Sequence, residues 1–368
     1  MKAIGLMSGT SGDGVDAVML ELGDLATRHE PEVLGHAYVA FDDELRQELT
    51  DPTSLSLGRV AELHFVLPRH YAEAVKRLPD WQSADVVGMH GQTLWHAPPS
   101  RSPEVPCTLQ IGSTAVLAAD LGLPVVGDMR CADVARGGEG APIIPFAHWF
   151  FCPQGSPTRL VVNVGGIANY TCVTPKVENV RASDLGPGMM ITDALSRHVS
   201  AGAHSFDRDG TLSEGGTPHP DFVETVLGHP FFERPLPRST GREDFGHAYV
   251  ETLLDAFAHL TGPDLLASSV DATAAAIVRA AKQDAPDVRT VVLTGGGALH
   301  PKLRTYVAAR GPELDVQVAT AGVLAPMHHE PAGMALIAAR TLAKLPSSVP
   351  QVTGASAPSI LGHVCFPP

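Results

Sequence analysis

Short apolar runs alternate with segments of helical periodicity along most of the chain. Strands are predicted at residues 2–7, 15–22, 85–89, 124–126, 159–164, 167–173 and 291–294. Helices are predicted at residues 42–48, 60–78, 114–121, 189–199, 265–282 and 332–342. The spacing from Thr240 to Glu243 is that of a capping box. Strands that alternate with helices are typical of α/β layers with mostly buried sheets.

Three of the predicted strands end directly in glycine-rich turns. The turns at residues 9–14 and 165–166 each join two strands, and residues 295–297 follow the strand at 291–294. Such a turn is most often structural, but clustered backbone N–H groups at strand ends also form concavities for anions. The repeated strand–turn–strand device indicates two related halves. Neither a P-loop nor a GxGxxG sequence is present.

Composition and charge narrow the class of protein. The 368 residues suit two domains. With 26 basic and 40 acidic side chains, the formal net charge is −14, which argues against nucleic acid as a partner. The five cysteines form no CxxC pair and the 17 histidines follow no zinc-binding pattern, so neither a disulfide framework nor a catalytic zinc is expected. Because no 18 apolar residues run together and the apolar start breaks at Ser8, we expect no membrane span or signal peptide and a cytoplasmic protein.

The order of the polar and glycine motifs is more specific than any one of them. They are MSGTSGDGVD from Met7, HGQT from His90 with Trp95-His96, LQIG from Leu109, Gly127-Asp128 with Arg130 and Asp133, Gly137-Gly138 with Gly140-Ala141-Pro142, NVGGIAN from Asn163, Asp184 with Gly186-Pro187-Gly188, FDRDG from Phe206, STGRE from Ser239, and Gly295-Gly296-Gly297. Together these motifs resemble those of the anhydro-N-acetylmuramic acid kinases, a family of the actin-like (hexokinase/Hsp70/actin) ATPase superfamily. The likeness spans nearly the whole chain.

The resemblance implies a fold and a reaction. The fold is α/β, with two actin-like (ribonuclease H-like) domains and an ATP cleft between them. Domain I would comprise residues 1–132 and a tail of about 345–368, and domain II residues 133–344. The implied reaction converts ATP, water and 1,6-anhydro-N-acetylmuramate into ADP and N-acetylmuramate 6-phosphate, in peptidoglycan recycling. The implied partners are ATP with Mg²⁺ and a small amino sugar, and a homodimer is left open.

The resemblance also implies that Asp184 is the catalytic base. An inverting glycosidase needs a base to activate water and an acid to protonate the departing oxygen. Here the departing O6 accepts the γ-phosphoryl group instead of a proton, so one carboxylate suffices. From the residues alone, an aspartate at this position could equally cap the following helix.

The binding residues are carried over from the same motifs. The ATP-binding set is Gly9, Thr10, Ser11, Gly12, Asp13, Gly14, Asp16, Asn163, Gly165, Gly166, Gly295, Gly296 and Gly297. The sugar-binding set is His90, Gln92, Thr93, Arg130 and Glu330. Arg130 has the fork geometry that suits a substrate carboxylate, with an ion pair as its alternative role. Asp13 and Asp16 would hold Mg²⁺ directly or through water, with turn stabilisation as the alternative for both and an equal one for Asp16.

The chain differs from the usual family pattern at four positions. Gly12 replaces a larger apolar residue, Glu139 a glutamine, and Met189 and His300 an asparagine each. Two rival functions stay open: another carbohydrate or acid kinase of the superfamily, since fold does not fix substrate, and an actin-like ATPase that transfers nothing. The polar motifs favour the anhydro-sugar kinase, because a filament or chaperone ATPase has no need of them.

Overall fold

The computed structural model describes residues 1–9, 12–319 and 324–368. The predicted ATP contacts Thr10 and Ser11 lie outside the described residues. The chain divides into two compact units. The first comprises Met1–Ser156, Lys176–Val180 and Ala321–Pro368, and the second comprises Pro157–Pro175 and Arg181–Thr320.

The described residues form short runs of strands separated by helices. The strands are β1 (Lys2–Met7), β2 (Gly14–Glu21), β3 (Glu32–Ala40), β4 (Val86–Met89), β5 (Gln92–Ala97), β6 (Cys107–Ile111), β7 (Val125–Gly127), β8 (Arg159–Val164), β9 (Ile167–Val173), β10 (Arg181–Pro187), β11 (Thr290–Thr294), β12 (Asp315–Val318) and β13 (His363–Cys365). The helices are α1 (Asp43–Thr50), α2 (Leu57–Lys76), α3 (Thr114–Leu121), α4 (Cys131–Val134), α5 (Pro145–Phe150), α6 (Met190–Val199), α7 (Pro220–Leu227), α8 (Arg242–Phe245), α9 (His247–Ala256), α10 (Gly262–Gln283), α11 (Pro301–Arg310), α12 (His329–Leu342) and α13 (Pro350–Thr353).

The first unit is built on a six-stranded sheet with the order β13-β7-β4-β1-β2-β3. β1 pairs antiparallel with β2 and parallel with β4, β2 pairs antiparallel with β3, and β4 pairs parallel with β7. β5 and β6 form a separate antiparallel hairpin. Helix α12 contacts β1 and β4, while α2 contacts β2 and β3.

The second unit repeats this arrangement. Its five-stranded sheet has the order β10-β9-β8-β11-β12. β8 pairs antiparallel with β9 and parallel with β11, β9 pairs antiparallel with β10, and β11 pairs parallel with β12. The strands β3-β2-β1-β4-β7 of the first unit have the same order and directions. In both units a glycine-rich turn joins the first two strands, so the predicted α/β architecture of two related halves is confirmed.

The extent of the first unit follows from the packing of α12. Its backbone lies directly on β1 and β4, because a β-carbon on Gly5 would overlap the Pro331 carbonyl and one on Gly88 would overlap the Met334 carbonyl. Helix α5 contacts α12 and belongs to the same unit. The prediction had instead placed residues 133–344 in the second domain. A helix rich in small residues carries no signal in its sequence that tells which sheet it covers.

The core of the second unit surrounds α10, which is buried along most of its 22 residues. Its small polar side chains are satisfied within the unit, because the Ser269 hydroxyl bonds Thr192 (2.9 Å) and the Thr273 hydroxyl donates to the Gly188 carbonyl (2.6 Å). These bonds fix α10 against the start of α6. Within the described residues, no helix combines the length and apolar character that a membrane crossing requires.

Two local predictions differ from the structure. The capping box at Thr240 does not form, because Gly241 is the N-cap of α8 without a side-chain bond, and the Thr240 hydroxyl instead donates to Asp244 (2.8 Å). Strands β3, β5, β6, β10, β12 and β13 were not predicted. The residues of β3, β5 and β6 are only partly buried, so polar and charged side chains interrupt the apolar pattern. β10 contains Asp184 and the Gly186-Pro187 pair, and β12 and β13 are only four and three residues long.

Candidate active site

The first glycine turn joins β1 to β2. Gly12 has a φ of +60°, a conformation that glycine adopts without steric cost, and its N–H donates to the Gly9 carbonyl (3.1 Å). Gly14 has no room for a side chain, because a β-carbon there would lie 2.5 Å from the Tyr38 hydroxyl. Gly12 is one of the four departures from the family pattern. Its positive φ means that it occupies a position that favours glycine.

Gln92 holds this turn in place. Its Oε1 accepts a hydrogen bond from the Ser8 hydroxyl (2.6 Å), and its Nε2 donates to the Gly9 carbonyl (3.1 Å). The residue is only 1% exposed. Both ends of the amide are therefore engaged with the turn, whereas the sequence predicted a direct contact with the sugar.

Arg130 and His90 are brought together in the first unit. Arg130 Nε and Nη2 lie 3.1 Å and 2.9 Å from His90 Nε2, and Arg130 Nη1 donates to the Gly140 carbonyl (2.9 Å). Because a guanidinium can only donate, His90 Nε2 accepts, and its proton sits on Nδ1, which bonds the Gly91 carbonyl (2.7 Å). Burial, reinforced by Arg130, lowers the pKa of His90 to about 3. His90 is therefore a neutral acceptor that orients the guanidinium.

Arg130 keeps donors for a ligand. A guanidinium has one N–H on Nε and a pair on each terminal nitrogen. The bonds to His90 and Gly140 use one N–H of each nitrogen, so one N–H remains on Nη1 and one on Nη2. Burial lowers the pKa of Arg130 to about 10, so it remains a cation at neutral pH. Glu330, in the first turn of α12, opposes this shift and raises the pKa of Arg130. The two predicted sugar-binding residues thus lie within electrostatic reach of each other.

Glu330 and Asp16 extend the same cluster. Burial raises the pKa of Glu330, Arg130 lowers it, and Asp16 raises it further. Asp16 Oδ1 is 2.9 Å from His36 Nε2, and the His36 ring lies 4.4 Å from that of His328, centroid to centroid. The structure therefore brings Asp16, Arg130 and Glu330 together from distant parts of the sequence. It also adds His36 and His328, which no motif of the sequence singled out.

The loop at residues 136–142 is fixed by the buried carboxylate of Asp133. Its Oδ2 accepts the Gly140 N–H (2.9 Å) and its Oδ1 accepts the Thr353 hydroxyl (2.9 Å). The Thr353 carbonyl also accepts the Glu139 N–H (2.7 Å). This loop contains the Gly140 carbonyl that accepts a hydrogen bond from Arg130. Through Asp133 and Thr353 it is attached to α13.

In the second unit, the glycine turn between β8 and β9 lies against the start of α6. The Gly188 N–H donates to the Gly166 carbonyl (2.9 Å), and the Met189 N–H donates to the Gly165 carbonyl (2.8 Å). A β-carbon on Gly188 would overlap the Gly165 carbonyl, so this close approach requires glycine. The turn therefore packs directly against the end of the Gly186-Pro187-Gly188 motif and is hydrogen-bonded to it.

The third glycine run, residues 295–297, packs against the end of β8 and the residue that precedes α6. Gly295 has a φ of +78°, and a β-carbon there would overlap Asn163 Oδ1. A β-carbon on Gly297 would lie 2.7 Å from Met189 Cγ. Gly296 is exposed. The predicted ATP-binding residues of the second unit are therefore adjacent to one another, and they surround the start of α6.

Asp184 lies in β10, at a bulge between Asp184 and Gly186. A bulge turns the strand locally and re-aims the side chain. The Asp184 N–H donates to the Arg238 carbonyl (3.0 Å), and Asp184 Oδ2 accepts the Thr240 N–H (2.9 Å). The segment around Arg238–Thr240 therefore holds both the backbone and the carboxylate of Asp184.

The environment of Asp184 favours an acid–base role. Burial raises the pKa of its carboxyl to about 6, with the Thr240 N–H opposing the shift and Glu243 adding to it. Helix α6 begins at Met190 without a side-chain cap, so the alternative role of Asp184 as a helix cap is wrong. A partly buried carboxyl with a pKa near the working pH suits general base catalysis.

Comparison with known proteins identifies the family. A family model described as Anhydro-N-acetylmuramic acid kinase matches residues 1–367. The chain is 36% identical to the anhydro-N-acetylmuramic acid kinase of Salinibacter ruber, over 99% of this chain and 96% of that protein. It is 32% identical to that of Caldanaerobacter subterraneus subsp. tengcongensis, over 98% and 96% respectively. The chain belongs to the anhydro-N-acetylmuramic acid kinase family. Component A of the (R)-2-hydroxyglutaryl-CoA dehydratase of Acidaminococcus fermentans is similar over 93% of this chain and 99% of its own, with a TM-score of 0.49 and 13% identity, which is too distant to bear on function.

Three departures from the pattern of the anhydro-N-acetylmuramic acid kinases have defined environments. The Glu139 carboxylate accepts hydrogen bonds from the Ser100 N–H (3.1 Å) and hydroxyl (2.6 Å). Met189 lies against the third glycine run, as described above. His300 is buried with its Nε2 3.1 Å from Asp207 Oδ2, and its Nδ1 accepts the Lys302 N–H at the start of α11. His300 therefore acts as a helix cap in this chain.

Proposed function

We propose that this protein uses ATP and water to convert 1,6-anhydro-N-acetylmuramate into N-acetylmuramate 6-phosphate, in the cytoplasm, where ATP is available. Membership of the anhydro-N-acetylmuramic acid kinase family supports the reaction. The single observation that carries the chemistry is the Asp184 carboxyl, which is held at a strand bulge and has a pKa of about 6.

Asp184 acts as the general base in this proposal. Its carboxylate takes a proton from water while the water oxygen bonds to the anomeric carbon of the sugar. The bond from that carbon to O6 breaks, and O6 bonds to the γ-phosphorus as the bond from phosphorus to the ADP oxygen breaks. The proton then passes from Asp184 to solvent. A base of this kind contributes about 10²–10⁴-fold in rate.

The glycine turns bind ATP in this proposal. Their backbone N–H groups, which cluster at strand ends, would bind the phosphates, and the third glycine run would let the backbone approach the nucleoside. The proposed set is Gly9, Thr10, Ser11, Gly12, Asp13, Gly14, Asp16, Asn163, Gly165, Gly166, Gly295, Gly296 and Gly297.

Asp13 and Asp16 would hold Mg²⁺, directly or through water. Among the described residues, no group of three or more His, Cys, Asp or Glu side chains is arranged to hold a metal ion. Mg²⁺ does not need such a group, because it is commonly bound by one or two carboxylates together with phosphate oxygens and water. One oxygen of Asp16 is bonded to His36, so the other suits the ion or one of its waters. Bound there, Mg²⁺ would neutralise phosphate charge.

Arg130 would bind the carboxylate of the sugar with its two remaining N–H groups, and Thr93 and Glu330 would bind sugar hydroxyls. The structure supports indirect roles for the other two predicted contacts. His90 would act by orienting Arg130, to which its ring nitrogen is bonded. Gln92 would act by holding the first glycine turn.

The purified protein should phosphorylate 1,6-anhydro-N-acetylmuramate much faster than open-ring N-acetylmuramate. Only the anhydro sugar has a C1–O6 bond whose cleavage frees O6 to accept the phosphoryl group. ADP release, together with mass spectrometry of the sugar product, measures both rates. Equal rates would favour a generic sugar kinase, and ATP hydrolysis without a sugar product would favour an ATPase that transfers nothing. Direct attack by water also requires the α-anomer as the first product in NMR, because the anomeric centre inverts.

The rate should depend on pH through Asp184. The base works as a carboxylate, so kcat/KM should be constant above the pKa of about 6 and fall about tenfold per unit as pH decreases below it. A pH–rate profile with the anhydro sugar, with circular dichroism at each pH as a check on folding, measures this limb. A rate that is flat down to pH values well below that pKa, in folded protein, would exclude Asp184 as the base.

A further inference from the structure

A short chain of hydrogen bonds connects Asp184 to a cation. The Thr240 N–H donates to Asp184 Oδ2 (2.9 Å). The peptide group that carries this N–H also carries the Ser239 carbonyl, which accepts a hydrogen bond from Arg234 Nη1 (3.1 Å). One peptide group therefore lies between a guanidinium and a carboxylate, with its carbonyl toward the cation and its N–H toward the anion.

Asp244 fixes this arrangement. Arg234 Nη1 and Nη2 donate to Asp244 Oδ2 and Oδ1, both at 2.7 Å, which is the bidentate geometry of a strong ion pair. The Thr240 hydroxyl donates to Asp244 Oδ2 as well (2.8 Å). Asp244 therefore anchors both the Arg234 guanidinium and Thr240, whose N–H faces Asp184. The orientation of that N–H is set by its bond to Asp184, by the bond from Arg234 to the Ser239 carbonyl, and by the bond from the Thr240 hydroxyl to Asp244.

We propose that Arg234 is a positioning residue for the base, acting through the Ser239–Thr240 peptide group to stabilise the ionised form of Asp184. Hydrogen bonds in series polarise one another, so a cation on the carbonyl strengthens the N–H as a donor. The Arg234 side chain is 42% exposed, so water screens its direct attraction to Asp184 and the bonded path carries the effect. This inference rests on the proposed role of Asp184.

The other charged groups near Asp184 act differently. Glu243, in α8, repels the Asp184 carboxylate and raises its pKa. The Arg238 side chain lies over the Phe231 ring and faces Asp284 (3.7 Å) instead. His229, near the Arg234–Asp244 pair, has a pKa lowered mainly by burial, which disfavours its charged form. Arg234 is thus the cation that reaches Asp184 through the peptide group.

The test measures the pKa of the Asp184 carboxyl directly. In protein labelled with ¹³C at the aspartate carboxyls, the Asp184 signal is the one that disappears in Asp184→Asn. In Arg234→Met, its pKa should rise by about 0.5–1 unit, because the Thr240 N–H loses the polarisation that the cation on the Ser239 carbonyl gives it. Arg234→Lys, which keeps the charge without the fork, should give a smaller rise and serves if Arg234→Met does not fold.

Two variants of the same unit complete the test. Arg279→Met is the matched control, because Arg279 lies over Phe232 and pairs with Glu233 (3.2 Å), and it should not shift the carboxyl. Glu243→Gln should lower the Asp184 pKa, the opposite sign to Arg234→Met. Glu243→Gln changes a charge near Asp184 without removing a bond of Arg234, so it checks that the signal responds to charge, and a partial rescue in Arg234→Lys distinguishes a charge effect from a merely structural one. Equal pKa values in Arg234→Met and Arg279→Met would overturn the inference.

The same variants separate this inference from the proposed function. In Arg234→Met, the acid limb of kcat/KM should move upward by the same amount as the carboxyl pKa, while the KM for ATP stays unchanged. If the carboxyl pKa moves and the acid limb does not, Arg234 still positions Asp184 but Asp184 is not the base. If neither moves while Asp184→Asn is inactive, the base stands and the role of Arg234 is refuted.

Discussion

Asp184→Asn should lower kcat by at least about 10²-fold while ATP still binds. Asparagine cannot take a proton from water, but its amide oxygen can accept the Thr240 N–H in place of the carboxylate. The strand bulge and the neighbouring glycine turns should therefore persist. Steady-state kinetics with the anhydro sugar measure kcat, and calorimetry with an ATP analogue measures nucleotide affinity.

Asp271→Asn is the control for this experiment. Asp271 is a buried carboxylate of the same unit, but it pairs with Arg310 in α11 (Nε–Oδ1 2.5 Å, Nη2–Oδ2 2.6 Å). Its replacement should reduce thermal stability and leave kcat within a few-fold of the wild type. Near-normal turnover in Asp184→Asn would remove the base from the proposed reaction, whatever the control shows.

Arg130→Met should reduce kcat/KM for 1,6-anhydro-N-acetylmuramate by about 10–100-fold. A hydrogen-bonded ion pair with the substrate carboxylate is worth about 1.5–3 kcal/mol, and each 1.4 kcal/mol is about tenfold in affinity. Arg130→Lys should lose most of the same factor, because an ammonium keeps the charge without the fork. The KM for ATP should stay unchanged in both variants.

The specificity of this effect can be tested with 1,6-anhydro-N-acetylglucosamine, which lacks the lactyl carboxylate. The wild type should use it poorly, and Arg130→Met should use it about as well as the wild type does. An equal loss on both sugars would show instead that Arg130 holds the local structure, through His90 and the Gly140 carbonyl.

Elements with strong periodicity were predictable from the sequence. Helix α3 was predicted at residues 114–121 and is observed at Thr114–Leu121. The glycine turns were also predictable, because glycine marks positions with positive φ or close backbone approach, as at Gly12, Gly188 and Gly295. Their repetition in the sequence correctly indicated two units with the same strand order.

The roles of individual polar residues were less predictable. Gln92 belongs to a polar motif that suggested a sugar contact, but its partners Ser8 and Gly9 are far away in the sequence. Arg234 belongs to no motif, and its importance depends on one peptide group that lies beside Asp184 only in three dimensions. Hydrogen bonds between distant segments leave no periodic trace in the sequence, so only the three-dimensional structure reveals them.

The attachment of the loop at residues 136–142 to α13 bears on the order in which the protein matures during translation. The loop depends on Thr353, and the Ser356 N–H adds a bond to the Arg136 carbonyl (3.0 Å). A ribosome delivers these partners more than two hundred residues after the loop. A nascent chain can therefore form the sheet of the second unit and the strands β1–β4 and β7 of the first and still lack the support for Arg130. We expect sugar affinity to be acquired late, once residues 353–356 have left the ribosome and bonded Asp133 and Arg136.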